Sequence, residues 1–313
     1  MIRIQAEVSD ALEAGRAVTA LESTLITHGL PFPDNLETAR ASERAVRAAG
    51  AVPATIAVLR GVIEVGLTEE QLAELAVARR FLKASRRDLS AVVAGGHDAA
   101  LTVSAVLAVA RMVGIGVMAT GGLGGVHRGA GESFDVSTDL DALAISHGVA
   151  LVCSGVKSIL DIPATLEVLE TRGVAVIGYG TDDFPAFTST GSGRPIDMRV
   201  DSPEAAAAIV VAHRRLGLPG AVVFAQPVPS EVALDRDEME RVLQLALIDA
   251  NRRWIRGKAL TPFLLDAVRA GTGGRSLVAN RALIVANAGL AGEIAARLVA
   301  EETRAVSDSE RPA

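Results

Sequence analysis

The stretch Val149-ALVCSGVKSILDIPATLEVLE-Thr171 opens on five apolar residues, breaks at Ser154-Gly155, and resumes from Ser158 with apolar residues spaced as on one face of a helix. So short and apolar a run reads as a strand buried on both faces, and strand, polar turn, helix is the unit of a crossover around a parallel sheet. The unit recurs outward from this stretch. Apolar runs at 17–21, 55–59, 91–94, 115–119, 174–177 and 221–225 predict further strands, and 34–49, 68–78, 99–113, 158–171, 203–216 and 230–248 carry helical spacing. A last helix spans 276–301, with Gly289 and Gly292 as candidate breaks, and 183–195 reads as a long loop. The expected fold is α/β, a three-layer α/β/α sandwich around a mainly parallel or mixed sheet. No linker, composition shift or repeat divides residues 1–313, so one domain is expected, with a frayed tail at 307–313.

Composition narrows the function classes. Half of the 313 residues are hydrophobic and only 3% aromatic, which suits Ala/Val/Leu helices against a buried sheet. The 37 acidic and 31 basic residues leave a formal charge of −6 with no long basic block, which disfavours a nucleic-acid polymer as partner. Cys153 is the single cysteine, so no disulfide forms within the chain, and its apolar setting marks it as core. The N-terminal MIRIQAEVSDALEAGR lacks the basic-then-apolar layout of a signal peptide, and runs such as 99–110 are too short to span a bilayer. A cytoplasmic protein away from membranes is expected.

In a parallel sheet, ligands gather beyond the carboxyl ends of the strands. Polar residues just past each apolar run are therefore the first candidates: Glu22-Ser23-Thr24, the run Thr120 to Gly129, and Ser154-Gly155-Val156-Lys157. With Ser158 as N-cap and Asp161 three residues on, the Lys157 amine would lie near a helix N-terminus, where the dipole and desolvation both disfavour the ammonium and favour a nucleophile. A surface lysine beside a loop is the bland alternative. The glycine-rich run 121–131 suits a phosphate cradle, with His127 and Arg128 as donors, or simply a tight turn. Carboxylates and hydroxyls recur from Glu132 to Asp141, which suits a hard divalent cation or, equally, an acidic helix start. Lys83 with Ser85-Arg86-Arg87-Asp88 could take one phosphate or be a solvated helix end. Glu22 after an apolar strand is costly to bury unless paired, protonated or functional. The five histidines show no metal-site spacing.

Taken together, Ala20-LESTLITHGLPFPDNLETA, Gly50-AVPATIAVLRG, Ala84-SRRDL, Ala119-TGGLGGVHRGA with SFDVSTDL, Cys153-SGVKSILD and Thr261-PFLL resemble the pseudouridine-5′-phosphate glycosidase family, also called indigoidine synthase A-like. The resemblance runs in unbroken order from about residue 17 to about residue 301. It implies a homotrimer that reversibly converts pseudouridine 5′-phosphate and water to uracil and ribose 5-phosphate with a divalent cation, Mn²⁺ or else Mg²⁺. Carried over residue by residue, it implies Lys157 as the Schiff-base lysine, Glu22 as the acid that protonates the departing base, and Asp135 as the metal ligand. Lys83, Val103, Ser137, Thr138 and Asp139 fall on substrate-contact positions, Thr138 where relatives often carry Ala, and Asn280 or Asn287 supplies a further contact. Two other readings stand beside this one. A sugar or nucleoside phosphotransferase would use the glycine-rich loop and nearby basic residues, but no adenine or γ-phosphate motif is visible, and a non-catalytic metabolite-binding module would need only the pocket.

Overall fold

The apolar runs line up as neighbours in one sheet. The computed structural model describes residues 1–78, 80–255 and 260–309. Its strands are β1 (Ile2–Ile4), β2 (Val18–Glu22), β3 (Val52–Leu59), β4 (Val62–Val65), β5 (Leu82–Ala84), β6 (Ala99–Leu101), β7 (Val117–Ala119), β8 (Val126–His127), β9 (Ala150–Cys153), β10 (Leu160–Asp161), β11 (Ala175–Tyr179), β12 (Arg199–Val200) and β13 (Val222–Ala225). Eleven of these form a single sheet whose main path runs β1-β4-β3-β2-β7-β9-β13-β11-β12, while β8 and β10 make a separate antiparallel pair. From β3 to β12 along that path every pairing is parallel, and β4 and β6 pair antiparallel with β3. The sheet is thus mixed but mainly parallel.

Side chains alternate between two buried faces, as a sheet covered on both sides requires. Val117, Ala150, Val152, Val222 and Phe224 pack on one face with Ala288, Ala291, Ile294 and Leu298 of the helix Arg275–Ser309. Met118, Leu151, Cys153, Val223 and Ala225 face the other way, toward the helices Val103–Val113, Thr138–Ala144, Ile162–Thr171 and Arg236–Arg252. Three layers result. Cys153 is fully buried, and burial pushes its thiol up to about 12.

Several boundaries differ from expectation. Residues 91–94 form no strand: they lie in the helix Leu89–Ala94, which follows a capping box between Ser85 and Asp88. Four apolar residues fit either structure, and the cap decides. The strand there is β6, at the start of the segment expected to be helical throughout 99–113. The helix expected from Ser158 begins at Ile162, where Asp161 accepts from the Ala164 N–H at 3.0 Å and Pro163 sits in the first turn, a combination that fixes a helix start. Lys157 therefore precedes the helix by more than a turn, and the dipole argument for its amine falls away. The helix expected at 230–248 is Arg236–Arg252, capped by Asp235. The last helix is unbroken through Arg275–Ser309, so 307–309 are helical and 310–313 lie outside the described residues. Gly292 lets this helix approach another: a Cβ there would stand 2.8 Å from Ala49 Cβ. Its stretch 275–304 is long and apolar enough to cross a membrane, but here it packs along the sheet against the helix Asp34–Ala48. β1, β4 and β5 carried no recognised signal.

Candidate active site

β2 ends where β3 continues, so the strand tips step apart. Ala57 of β3 stands opposite Glu64 on one side and Ala100 on the other, so β6 takes over the edge of β3 beyond the end of β2. Ser23 joins the three strands: its hydroxyl donates to the Ile56 carbonyl at 2.6 Å and accepts from the Leu101 N–H at 2.8 Å. Glu22, at the tip of β2, is only 4% exposed, and its two carboxylate oxygens accept from the Thr24 and Thr120 hydroxyls. Two donors meet the cost of burying the group.

Beyond β7 the glycine-rich run lies beside the segment that leaves β9. The Ser154 N–H donates to Gly121 at 2.9 Å, Leu123 to Gly155 at 2.9 Å, and the Lys157 N–H to Leu123 at 3.2 Å. Gly155 has φ +75°, and a Cβ on it would lie 2.0 Å from the Pro185 carbonyl; one on Gly122 would lie 2.7 Å from the Phe187 ring. These glycines serve close approach of three chain segments, which is the tight-turn alternative, and the result fixes the backbone of Lys157. Arg128 is committed elsewhere: it makes a forked pair with Glu240 at 2.6 and 2.8 Å, which holds the Glu240 carboxyl down to about 2. It is not a free anion donor.

Glu22, Lys83, Lys157 and Asn280 line one cavity at these strand tips, together with His28 and Phe187. A second, wider cavity of about 230 Å³ adjoins it and shares His28, Phe187 and Asn280. The two asparagines are thereby separated. Asn280 Oδ1 is buried without a hydrogen-bond partner at the cavity wall, whereas Asn287 is fully buried and donates to the Thr120 carbonyl at 2.9 Å and to Ser154 Oγ at 3.1 Å. Asn287 ties the tips of β7 and β9 together. Of Lys83-Ser85-Arg86-Arg87-Asp88, only Lys83 reaches the cavity.

Val103, Ser137, Thr138 and Asp139 do not line that cavity. They meet where two helices start: Asp139 accepts from the N–H groups of Ser104 at 2.9 Å and Gly124 at 3.0 Å, Ser137 caps its helix through the Asp139 N–H, and Thr138 Oγ1 is 3.2 Å from Ser104 Oγ. Asp139 has both oxygens occupied by backbone donors, so it frames the glycine-rich loop. Val103 is fully buried and can offer a ligand only its main chain.

Asp135 is partly exposed, and its carbonyl accepts from the His127 N–H at 3.0 Å. Burial lowers the His127 pKa, as do Lys83 and Lys157, while Asp135 opposes them; the four groups therefore share one electrostatic neighbourhood. His28 is likewise lowered, by burial and then by Lys83. Among the described residues no three His, Cys, Asp or Glu side chains cluster as metal ligands. One carboxylate beside a predominantly neutral imidazole fits a hard cation that keeps most of its waters, not a dehydrated, fully protein-held ion.

A family model described as indigoidine synthase A like protein matches residues 7–297, nearly the whole chain. The chain belongs to the indigoidine synthase A-like family. Within that family, a pseudouridine-5′-phosphate glycosidase of Caldanaerobacter subterraneus subsp. tengcongensis is 52% identical over 95% of this chain and 96% of its own, and one of Herpetosiphon aurantiacus is 52% identical over 93% and 96%. Among solved structures, the prealnumycin C-glycosynthase AlnA in complex with ribulose 5-phosphate superposes with a TM-score of 0.90 at 37% identity, covering 97% of this chain and 99% of that one. An indigoidine synthase A-like protein of Thermotoga maritima gives 0.86 at 38%, covering 96% and 97%. The fold expected from the sequence is the fold these family members share.

His28 and Phe187 escaped the sequence reading as site residues, whereas Thr24 and Thr120 stood among the polar residues past the strand ends without a stated role. Phe187 had a signal, one of two aromatics, with Phe184, in the polar loop 183–195 of a chain with 3% aromatics. The pairing of the two hydroxyls with Glu22 had no signal, because it depends on where Glu22 points.

Proposed function

We propose that this protein cleaves the C–C glycosidic bond of pseudouridine 5′-phosphate, reversibly, to uracil and ribose 5-phosphate. The observation that carries the reading is one cavity at the tips of β2, β7 and β9 lined by a buried carboxyl, Glu22, and an amine, Lys157, in a chain about half identical to glycosidases of that name. A C-glycoside has no leaving oxygen to protonate, so a pair of carboxylates working by the usual oxocarbenium route fits poorly. An amine opens another path. Lys157 Nζ adds to C1′ as the C1′–O4′ bond breaks and O4′ takes a proton, opening the ribose. Glu22 then delivers a proton to C5 of the base. The C1′–C5 electron pair stays with the uracil ring while the Lys157 nitrogen lone pair closes a C1′=N double bond. Water adds to that imine, releasing ribose 5-phosphate and regenerating the amine.

The other residues bind and orient. Lys83 supplies a cation for the phosphate at the cavity wall, and Val103, Ser137, Thr138 and Asp139, which lie outside that cavity, are substrate contacts by the family resemblance. Asn280, with its unpartnered carbonyl, accepts from a uracil N–H, and the Phe187 ring offers a stacking wall. Asp135 would hold Mn²⁺ or Mg²⁺, which when bound supplies electrostatic support through its waters. The active particle is a homotrimer. Identity favours the glycosidase over a C-glycosynthase acting on another ring, since the match to AlnA is 37% against 52%.

Borohydride added during turnover traps a pentose-phosphate adduct on the peptide that contains Lys157, read by mass spectrometry. An active protein carrying no label there refutes the nucleophile.

A further inference from the structure

Glu22 loses a proton to each uracil, yet it is buried and its front is covered by substrate during the reaction. We propose that Glu43 is the inlet of a proton relay that recharges Glu22 from behind, by way of the Thr55 hydroxyl and one water; this rests on the acid role of Glu22 given above. Behind Glu22 lies a third, small cavity lined by Glu22, Ser42, Thr55 and Thr120 among apolar neighbours such as Ile26 and Ala288. It has room for about one water, and four polar side chains on its wall are what a buried water needs. Thr55 Oγ1 on that wall donates to Glu43 Oε1 at 2.6 Å. Glu43, on the helix Asp34–Ala48, is only partly buried, so its outer side meets solvent.

The chain of transfers balances. Once Glu43 is protonated it donates to Thr55 and the Thr55 hydroxyl turns toward the water; the Glu43 O–H then passes its proton to Thr55 Oγ while the Thr55 O–H passes its own to the water, and the water passes one to the Glu22 carboxylate. Glu43 is then reprotonated from solvent, and in synthesis the same path runs outward. The charged groups around Glu43 are Arg47 on its own helix, Glu7 on the helix Ala6–Glu13 and Glu69 on the helix Glu69–Val77. Arg47 is paired with Glu7 and Glu69 with Arg40, so these offset one another, and burial dominates in raising the Glu43 pKa. A raised pKa keeps a deliverable proton on Glu43 closer to neutrality, and that proton is lost as pH rises through it.

Glu43→Gln in the full-length protein keeps the shape and the acceptor for Thr55 but cannot pass a proton. With pseudouridine 5′-phosphate, kcat for uracil release falls at least about tenfold, KM and the trapped Lys157 adduct stay near wild type, and the alkaline fall in kcat that the relay predicts for the wild type is absent. An unchanged kcat, or a retained alkaline limb, overturns the relay. Thr55→Val tests the same path from the other partner: it matches Glu43→Gln, does not add to it, and is rescued by Thr55→Ser; additive losses overturn the proposal. If Glu22→Gln itself releases uracil at the wild-type rate, the acid reading fails; if Glu22→Gln is inactive while Glu43→Gln is normal, only the relay fails.

Discussion

Asn280 and Asn287 lie two helical turns apart and look interchangeable in sequence, but their atoms have opposite fates. Asn287 satisfies buried carbonyls at the tips of β7 and β9, so Asn287→Ala leaves those groups unpaired at a cost of about 1–3 kcal/mol. Asn280 has a buried oxygen with no hydrogen-bond partner among the described residues, so Asn280→Ala costs little folding free energy and instead raises KM for pseudouridine 5′-phosphate. Thermal unfolding beside uracil-release kinetics separates the two; a strongly destabilised Asn280→Ala with normal KM would remove it from the substrate. Cys153 shows the same dependence on surroundings, since burial alone makes its thiol inert.

At the scale of elements, the site is a junction of loops held by close backbone contact. Gly155 sits at φ +75°, with the Pro185 carbonyl where a Cβ would go. Gly155→Ala therefore combines left-handed strain with a backbone clash, and the loop carrying Lys157 must move. The expected outcome is a loss of at least ~2 kcal/mol in urea unfolding together with loss of the trapped lysine adduct. Wild-type stability in that variant would show that the three segments pack more loosely than described. Caps act at this scale too: Asp161 and Pro163 displace the helix start from Ser158, which moves Lys157 off the helix end and into a turn fixed by its own backbone bond to Leu123.

For the molecule as a whole, one copy leaves large apolar side chains in the open. Phe134 is 84% exposed at φ +55°, immediately before Asp135, and Trp254 is 81% exposed. Leu245 and Ile248 are exposed on the helix Arg236–Arg252. Such residues are commonly covered in an assembly. Sedimentation equilibrium of the wild type is expected to give the mass of three chains, and Phe134→Asp a lighter species if that residue is at the contact; a monomeric wild type would contradict the trimer.

The strand–turn–helix units at 115–119, 149–153 and 221–225 were legible because burial on both faces leaves apolar runs that polar segments interrupt, and local periodicity carries that pattern. The positions of Glu22 and Lys157 just past two such runs were legible for the same reason, and long matching strings supplied the family. Tertiary structure alone decided the rest. Residues 91–94 became helix because the capping box of Ser85 and Asp88, in the turn that leads into that helix, outweighs four apolar side chains. Asn280 rather than Asn287 faces the cavity, Thr24 and Thr120 hold Glu22, and Glu43 meets Thr55, because each depends on where separate strands and helices bring side chains together. Periodicity is a property of neighbours along the chain, whereas a hydrogen bond between residues 12 or 98 positions apart exists only once the sheet has set the distance.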